Sequence, residues 1–166
     1  MLQFEVRDLD RAVALYRDGF GLELHVSDHE GGDHGADDRW ISGRHAAITW
    51  QAVTSGARAL SAPAGVFVLV RAGRTTVGCG GVQRFDADTG EIKRMWIDPE
   101  WRGQGLSKRL LADLEDRARQ LGHRRVVLDT NAELTEALHL YASAGYAATE
   151  PYNDNAYAQR WFTKDL

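Results

Sequence analysis

One cysteine, Cys79, is the whole thiol content of the 166 residues. An internal disulfide is therefore excluded, which fits a reducing cytoplasm. Basic charge is not in excess either: 20 Lys and Arg face 24 Asp and Glu, for a formal net charge of -4. That balance gives no footprint for nucleic acid or an anionic membrane. It does not forbid an anionic ligand, because a local nest of amides binds phosphate on an acidic protein. No apolar run approaches the roughly 20 residues that a membrane-spanning helix needs. The opening Met1-Leu2-Gln3-Phe4-Glu5-Val6-Arg7 lacks the basic-then-apolar layout of a signal peptide. Repeats and low-complexity tracts are missing as well. What is present, 43% hydrophobic and 27% charged residues, is ordinary for a globular protein whose length allows one domain with a real core.

The first third of the chain gives weak structural signals. Residues 3–6 suit a short strand, and Asp8 to Arg17 carries Leu9, Val13 and Tyr16 at helical spacing, stopped by Gly19 and Gly21. Leu22 to Val26 suits a second strand, the polar segment 27–38 a loop, Ala46 to Val53 another strand, and Ser55 to Gly65 a connection. From there the pattern sharpens. Val66 to Arg71 and Thr76 to Phe85 are β-rich runs joined by Ala72-Gly73-Arg74, a hairpin signal. Cys79 falls in the second run, where a small buried residue is expected. Asp86 to Gly90 reads as a turn and Glu91 to Ile97 as a strand ended by Asp98-Pro99. A helix over about Gly105 to Leu121 places Leu106, Leu110, Leu111, Leu114, Ala118 and Leu121 on one face, with Gly122 as its stop. Arg125 to Asp129 comes next as a short strand. Thr130-Asn131-Ala132-Glu133 has capping-box spacing and is expected to open a second helix that runs to about Ala144. The chain should return to the sheet at Tyr146 and end on a strand over Tyr157 to Lys164. Hairpins followed by strand–helix–strand–helix–strand predict a mixed, mostly antiparallel α/β sheet flanked by helices.

The segment richest in chemistry is Trp101-Arg102-Gly103-Gln104-Gly105-Leu106-Ser107-Lys108, at a strand-to-helix junction. A helix N-terminus offers backbone N–H groups without intrahelical partners and a dipole that favours an anion. Gly103 and Gly105 let the main chain curl close to a ligand. Ser107 adds a hydroxyl, and Arg102 and Lys108 add positive charge, a set that suits a pyrophosphate. The same two glycines also serve a tight turn with no ligand. The segment is not a P-loop, because no Gly-Lys-Ser/Thr follows a glycine at the required spacing, and it is a poor dinucleotide fingerprint, since Lys108 stands where a third glycine belongs.

This region resembles the GNAT superfamily of N-acetyltransferases, whose signature is Arg/Gln-x-x-Gly-x-Gly/Ala. Arg102, Gly105 and Ser107 fill the three positions, the last with a small-residue departure. Glu91-Ile92-Lys93-Arg94-Met95-Trp96-Ile97-Asp98-Pro99 looks like the family's fourth strand. Leu140-Tyr141-Ala142-Ser143-Ala144-Gly145-Tyr146 is similar to its Leu-Tyr-x-x-x-Gly-Phe/Tyr segment. The resemblance covers about residues 63 to 166, so 1–166 reads as a single acyltransferase domain with an atypical N-terminal segment over 1–62. It implies direct attack of an amine on the thioester of acetyl-CoA, with no metal. It also implies that main-chain groups of Met95, Trp96 and Ile97 hold the pantetheine arm beside an oxyanion-stabilising amide. Arg102, Gly103, Gln104, Gly105, Leu106 and Ser107 would hold the phosphates.

By the same resemblance, Tyr141 is the acid that protonates the leaving thiolate; by spacing alone it is a core aromatic beside Ala137, Leu138 and Ala142. Glu91 is the candidate base for the incoming ammonium, or a solvated carboxylate after a turn. The family's cofactor-contacting asparagine falls on Leu134 here; Asn131 is the substitute, or the helix cap. Tyr152-Asn153-Asp154-Asn155 resembles a loop near the acceptor site in a subset of the family, with Asp154 placed to attract a cationic amine; turn chemistry accounts for it equally.

Residues 4–24 instead resemble the opening of a vicinal oxygen chelate module, as in glyoxalase and bleomycin-resistance proteins. The position of that family's metal-binding histidine falls on Met1, so the ligand is absent. His25, His29 and His34 with Asp28 and Asp33 form a cluster that could hold a metal or be solvated. The expected partner is a small-molecule or peptide amine, with the homodimer question left open. The alternatives are a non-catalytic acyl-CoA or small-ligand binding module, and a metal-dependent chelate-type protein.

Overall fold

A computed structural model describes residues 2–6, 59–60 and 62–166 of the chain. The helix expected over 8–17, the strands over 22–26 and 46–53, the loop 27–38 and the histidine cluster lie outside the described residues. The described elements are β1 (Leu2–Val6), β2 (Gly65–Ala72), β3 (Thr75–Arg84), β4 (Thr89–Ile97), α1 (Leu106–Gln120), β5 (Arg125–Thr130), α2 (Thr135–Ser143), β6 (Ala147–Thr149) and β7 (Arg160–Asp165). A single 3-10 turn, Pro99–Trp101, lies between β4 and α1. The seven strands form one sheet in the order β1-β2-β3-β4-β5-β7-β6. Every pairing is antiparallel except β4 with β5. The mixed, mostly antiparallel sheet with helical cover is thus the one the sequence predicts. Among the described residues, no helix is long and apolar enough to cross a membrane.

The apolar run Val66-Phe67-Val68-Leu69-Val70 shows why β2 is central. Val68 and Val70 enter a large cluster with α1, while Phe67 and Leu69 enter a second cluster with Leu60, Cys79 and Trp96. A strand covered on both faces has no polar side to alternate with. On β3, Gly80 lets α1 come close: a Cβ there would lie 2.9 Å from a methyl of Leu114. Helix α1 buries Leu106, Leu110, Leu111, Leu114 and Ala118, the face its spacing predicts, while Leu121 becomes its C-cap. Gly122 then takes φ 90°, with its N–H donating to Arg119 O (3.0 Å) and that of His123 to Ala118 O (3.0 Å). Those two bonds close a Schellman motif. Leu114 is fully buried in the main cluster. Leu114→Ala should therefore cost about 2–5 kcal/mol of stability, read from the urea midpoint at constant slope.

One helix boundary departs from expectation. Helix α2 starts at Thr135, five residues after the Thr130 of the anticipated capping box. Thr130 is instead the last residue of β5, paired with Arg160, and its carbonyl accepts from Gln159 N–H at 3.0 Å. The short polar side chain that does act is Asn131, whose Oδ1 accepts from Glu133 N–H at 2.8 Å and makes a turn ahead of the helix. The last strand also starts late, at Arg160, because Asn155 folds the preceding segment: its Oδ1 accepts from Tyr157 N–H and its carbonyl from Ala158 N–H.

Candidate active site

The parallel strands β4 and β5 pair over three positions only, Thr89–Arg125, Gly90–Val126 and Glu91–Val127. β4 continues to Ile97 and β5 to Thr130 without pairing further with each other, so a wedge opens at their C-terminal ends. Ligands of α/β sheets bind at such ends. The neighbouring ladder helps to bend β4 away. Between β3 and β4 the register passes from Gly81–Lys93 directly to Cys79–Trp96, so two residues of β4, Arg94 and Met95, stand against Gly80 alone. Arg94 takes φ 58°, the left-handed region that a long side chain rarely adopts. A bulge of this kind bends its strand and turns the next side chains in new directions. Beyond it, Met95 packs on the α1 cluster, Trp96 on the second cluster, and Ile97 is buried. The β5-facing edge of this stretch has no strand partner among the described residues.

The chain then runs straight into the glycine turn. Asp98 caps the 3-10 turn by accepting from Glu100 N–H at 2.9 Å. Arg102 is extended, and its Nε donates to Ile97 O at 3.0 Å, tying the turn to the end of β4. Gly103 and Gly105 have φ 75° and 74°, and a Cβ on either would meet nothing within 4 Å. The backbone therefore requires glycine, and the space above it is open. Gly105 is the N-cap of α1 and offers no side-chain cap, and the first turn holds no acidic residue. The N-terminal N–H groups of a 15-residue helix, with Ser107 and the exposed Lys108 beside them, thus make a start that favours an anion. Leu106 is buried and serves packing, whereas Gln104 is exposed.

A polar cluster bridges the wedge. Glu91 is buried, and its Oε1 accepts from Tyr152 (3.1 Å) and Asn153 (3.3 Å) and pairs with Lys93 Nζ (2.8 Å). Its Oε2 accepts from Gln83 at 2.7 Å. Across the gap, Asp129 at the end of β5 accepts on Oδ2 from Lys93 (3.1 Å) and Asn153 (2.6 Å). Among the described residues, its Oδ1 has only the Asn155 amide, at 3.4 Å. Trp161 Nε1 fixes Asn153 by donating to its Oδ1 at 3.0 Å. Burial works against the charge on Lys93, but the two carboxylates more than offset it and hold its amine above the ordinary value. Burial, then Glu91 and Asp129, push the Tyr152 phenol far up.

Tyr141 is buried on α2 against the rings of Tyr146 and Phe162, with centroids 5.8 and 5.7 Å away. Its hydroxyl has no hydrogen-bond partner among the described residues. Burial and then the Asp129 charge push that phenol up to about 12.

Of the residues singled out in the sequence, the fold brings Glu91 to the wedge, Met95 to Ile97 to the stretch of β4 beyond it and Arg102 to Ser107 to the turn that follows, while Tyr141 lies on α2 within reach of the Asp129 charge. Asn131 lies at the end of β5 and is committed to the turn ahead of α2. Asp154 is exposed, while its neighbours Asn153 and Asn155 point into the cluster. Lys93 and Asp129 were missed. The signal for Lys93 was its place two residues after Glu91, hence on the same face of β4.

A family model described as the Acetyltransferase (GNAT) family matches residues 29–146. The match reaches further toward the N-terminus than residue 63 and starts after the 4–24 segment. Among curated proteins, the chain is 34% identical over 87 residues to "IAA acetyltransferase" of Azospirillum brasilense, covering 52% of this chain and 57% of that protein. It is 34% identical over 92 residues to "N-alpha-acetyltransferase RimI" of Mycobacterium tuberculosis, covering 54% and 56%. The aligned stretches thus span little more than half the length of these relatives. A GNAT family acetyltransferase from Elizabethkingia anophelis, solved with acetyl-CoA bound, superposes with a TM-score of 0.64 at 18% identity, covering 99% of this chain and 98% of that one. At that identity the likeness concerns the fold.

Proposed function

We propose that this chain, which belongs to the acetyltransferase (GNAT) family, transfers an acetyl group from acetyl-CoA to an amine by direct attack, in the cytoplasm. The observation that carries the reading is the parting of β4 from β5 after Glu91, with the bulge at Arg94, leading into the left-handed glycines at the start of α1. Met95, Trp96 and Ile97 offer main-chain groups to the pantetheine arm as a strand would. Gly103, Gln104, Gly105, Leu106 and Ser107 offer N–H groups to the pyrophosphate, and Arg102, tied to Ile97, holds the turn in place. The strained backbone of the bulge supports a role for one of its amides in stabilising the charge that develops on the thioester oxygen. Tyr141 donates its proton toward the sulfur, and a carboxylate of the wedge cluster takes the proton of the incoming amine.

Binding is the first test. Acetyl-CoA or CoA at about 100 times its Kd should stabilise the fold by about 2.7 kcal/mol, raising Tm by roughly 5–10 °C. ATP and NAD should raise it much less. No shift at saturating acetyl-CoA would remove the reading. Thiol release from acetyl-CoA over a panel of amines then identifies the acceptor.

A further inference from the structure

Two carboxylates lie in the wedge, and they are not equivalent. Glu91 has both oxygens taken: three donors converge on Oε1 and Gln83 holds Oε2. The crowding on Oε1 and the short 2.7 Å Gln83 bond on Oε2 leave Glu91 less room for a substrate proton. Asp129 is saturated on Oδ2 only. The 3.4 Å contact to Oδ1 from Asn155 lies beyond the usual range for N–H···O, so a strong acceptor site remains on a side chain that is 9% exposed. Asp129 also sits at the C-terminal end of a parallel strand where the sheet opens. A separate observation points to the same place. The Tyr141 side chain is more than nine-tenths buried, its hydroxyl is unpartnered among the described residues, and Asp129 is the charge that acts on it. A phenol without a hydrogen-bond partner among the described residues thus lies within reach of the charge of the carboxylate with the spare oxygen. The other charged and titratable groups there, Lys93, Glu91 and Tyr152, are all bonded to one another or to Asp129 Oδ2.

We propose that Asp129, rather than Glu91, is the catalytic base, receiving the acceptor as a primary ammonium on its free oxygen and taking its proton, while Glu91 and Lys93 position it. This rests on the acyltransferase reading above. The ammonium gives one proton to Asp129 Oδ1 as its nitrogen closes on the thioester carbonyl carbon. The new C–N bond replaces the C–S bond, whose electron pair goes to sulfur. A second nitrogen proton replaces the one that Tyr141 passes to sulfur, the third stays on the amide, and Asp129 releases its own to solvent. Lys93 on the opposite oxygen keeps the carboxylate oriented and leaves the cluster with one net negative charge for a cation.

Ethylamine, a cation at pH 7, and hydroxylamine, already neutral there, separate proton removal from everything else. In D129N, thiol release from acetyl-CoA with ethylamine should fall roughly tenfold further than with hydroxylamine, and should recover as pH rises and free amine accumulates. E91Q should lose activity equally on both. A second readout needs no turnover: in D129N the tyrosinate absorbance step assigned to Tyr141, by its absence in Y141F, should move to lower pH. Equal losses on the two amines in D129N, or an ethylamine-selective loss in E91Q alone, would overturn the assignment. If D129N does not fold, D129A with added formate carries the test, with ethylamine turnover restored by formate expected and no restoration overturning it. Wild-type protein that binds CoA yet accelerates neither amine sinks this proposal; wild-type protein that does not bind CoA sinks the reading beneath it.

Discussion

Tyr141→Phe should lower kcat about a hundredfold while leaving affinity for acetyl-CoA and the folding midpoint nearly unchanged. The geometry separates these three quantities. The ring packs on Tyr146 and Phe162, and phenylalanine keeps both contacts. The hydroxyl has no protein partner among the described residues, so its removal leaves no buried group unsatisfied, which is what usually makes such a deletion costly. Its protonation state also limits what it does. A phenol held up to about 12 stays neutral throughout the working range. Handing its proton outright to a thiolate with a pKa of about 8.5 would cost about 5 kcal/mol. Tyr141 therefore acts first as a hydrogen-bond donor to sulfur as charge develops, and the proton moves only as the nitrogen proton replaces it. The kcat profile of the wild type should show no loss from this group below about pH 11, in line with its raised value. Unchanged kcat in a folded Tyr141→Phe protein, with chemistry rate-limiting, would take the residue out of the mechanism.

The second large effect lies at Gly105. With φ 74° and open space above it, a valine meets no clash but must adopt a conformation that branched side chains avoid. Stability should drop by about 1–3 kcal/mol, and the side chain would stand in the open space at the head of α1. Losing one or two charge-assisted N–H contacts there is worth about 3 kcal/mol, so KM for acetyl-CoA should rise about a hundredfold. Gly73→Val is the matched control. Gly73 has φ 61°, equally open space and a place in the β2–β3 hairpin, with β4 between it and β5. It should share the loss in Tm and keep the wild-type KM. If both variants keep that KM, the glycines at 103 and 105 are only a turn.

The sequence made legible what is local and periodic. Alternation and punctuation gave β2, β3 and β4, and the 3.6-residue spacing of five buried positions gave α1 with its stop at Gly122. It misjudged α2, because Thr130 is as good a strand residue as a cap and the β5–β7 ladder claimed it. The glycine turn was readable because two left-handed glycines before an amphipathic helix are a local feature. The cluster was not. Lys93 and Asp129 are 36 residues apart, and only the way β4 and β5 diverge sets them across a gap. No spacing rule reports a contact made by strand divergence. The loop at Tyr152–Asn155 reads from sequence either as an acceptor-side segment or as a plain turn, and which of its side chains face inward depends on the turn around Asn155 and on Trp161.

The short seam between β4 and β5 has an engineering consequence. Three paired positions hold the two halves of the sheet edge to edge, and past them the Lys93–Asp129 and Asn153–Asp129 bonds act as a staple. The parts proposed for chemistry are thus also the fasteners of a gap that must stay open. Heat-tolerance selection acting without an activity screen would favour changes that zip the strands past Glu91, for instance by removing the bulge residue and swapping the cluster for β-branched apolar pairs. Such variants would melt higher and lose the slot into which a thioester arm could be laid. Robustness and turnover are opposed here along a single line of backbone.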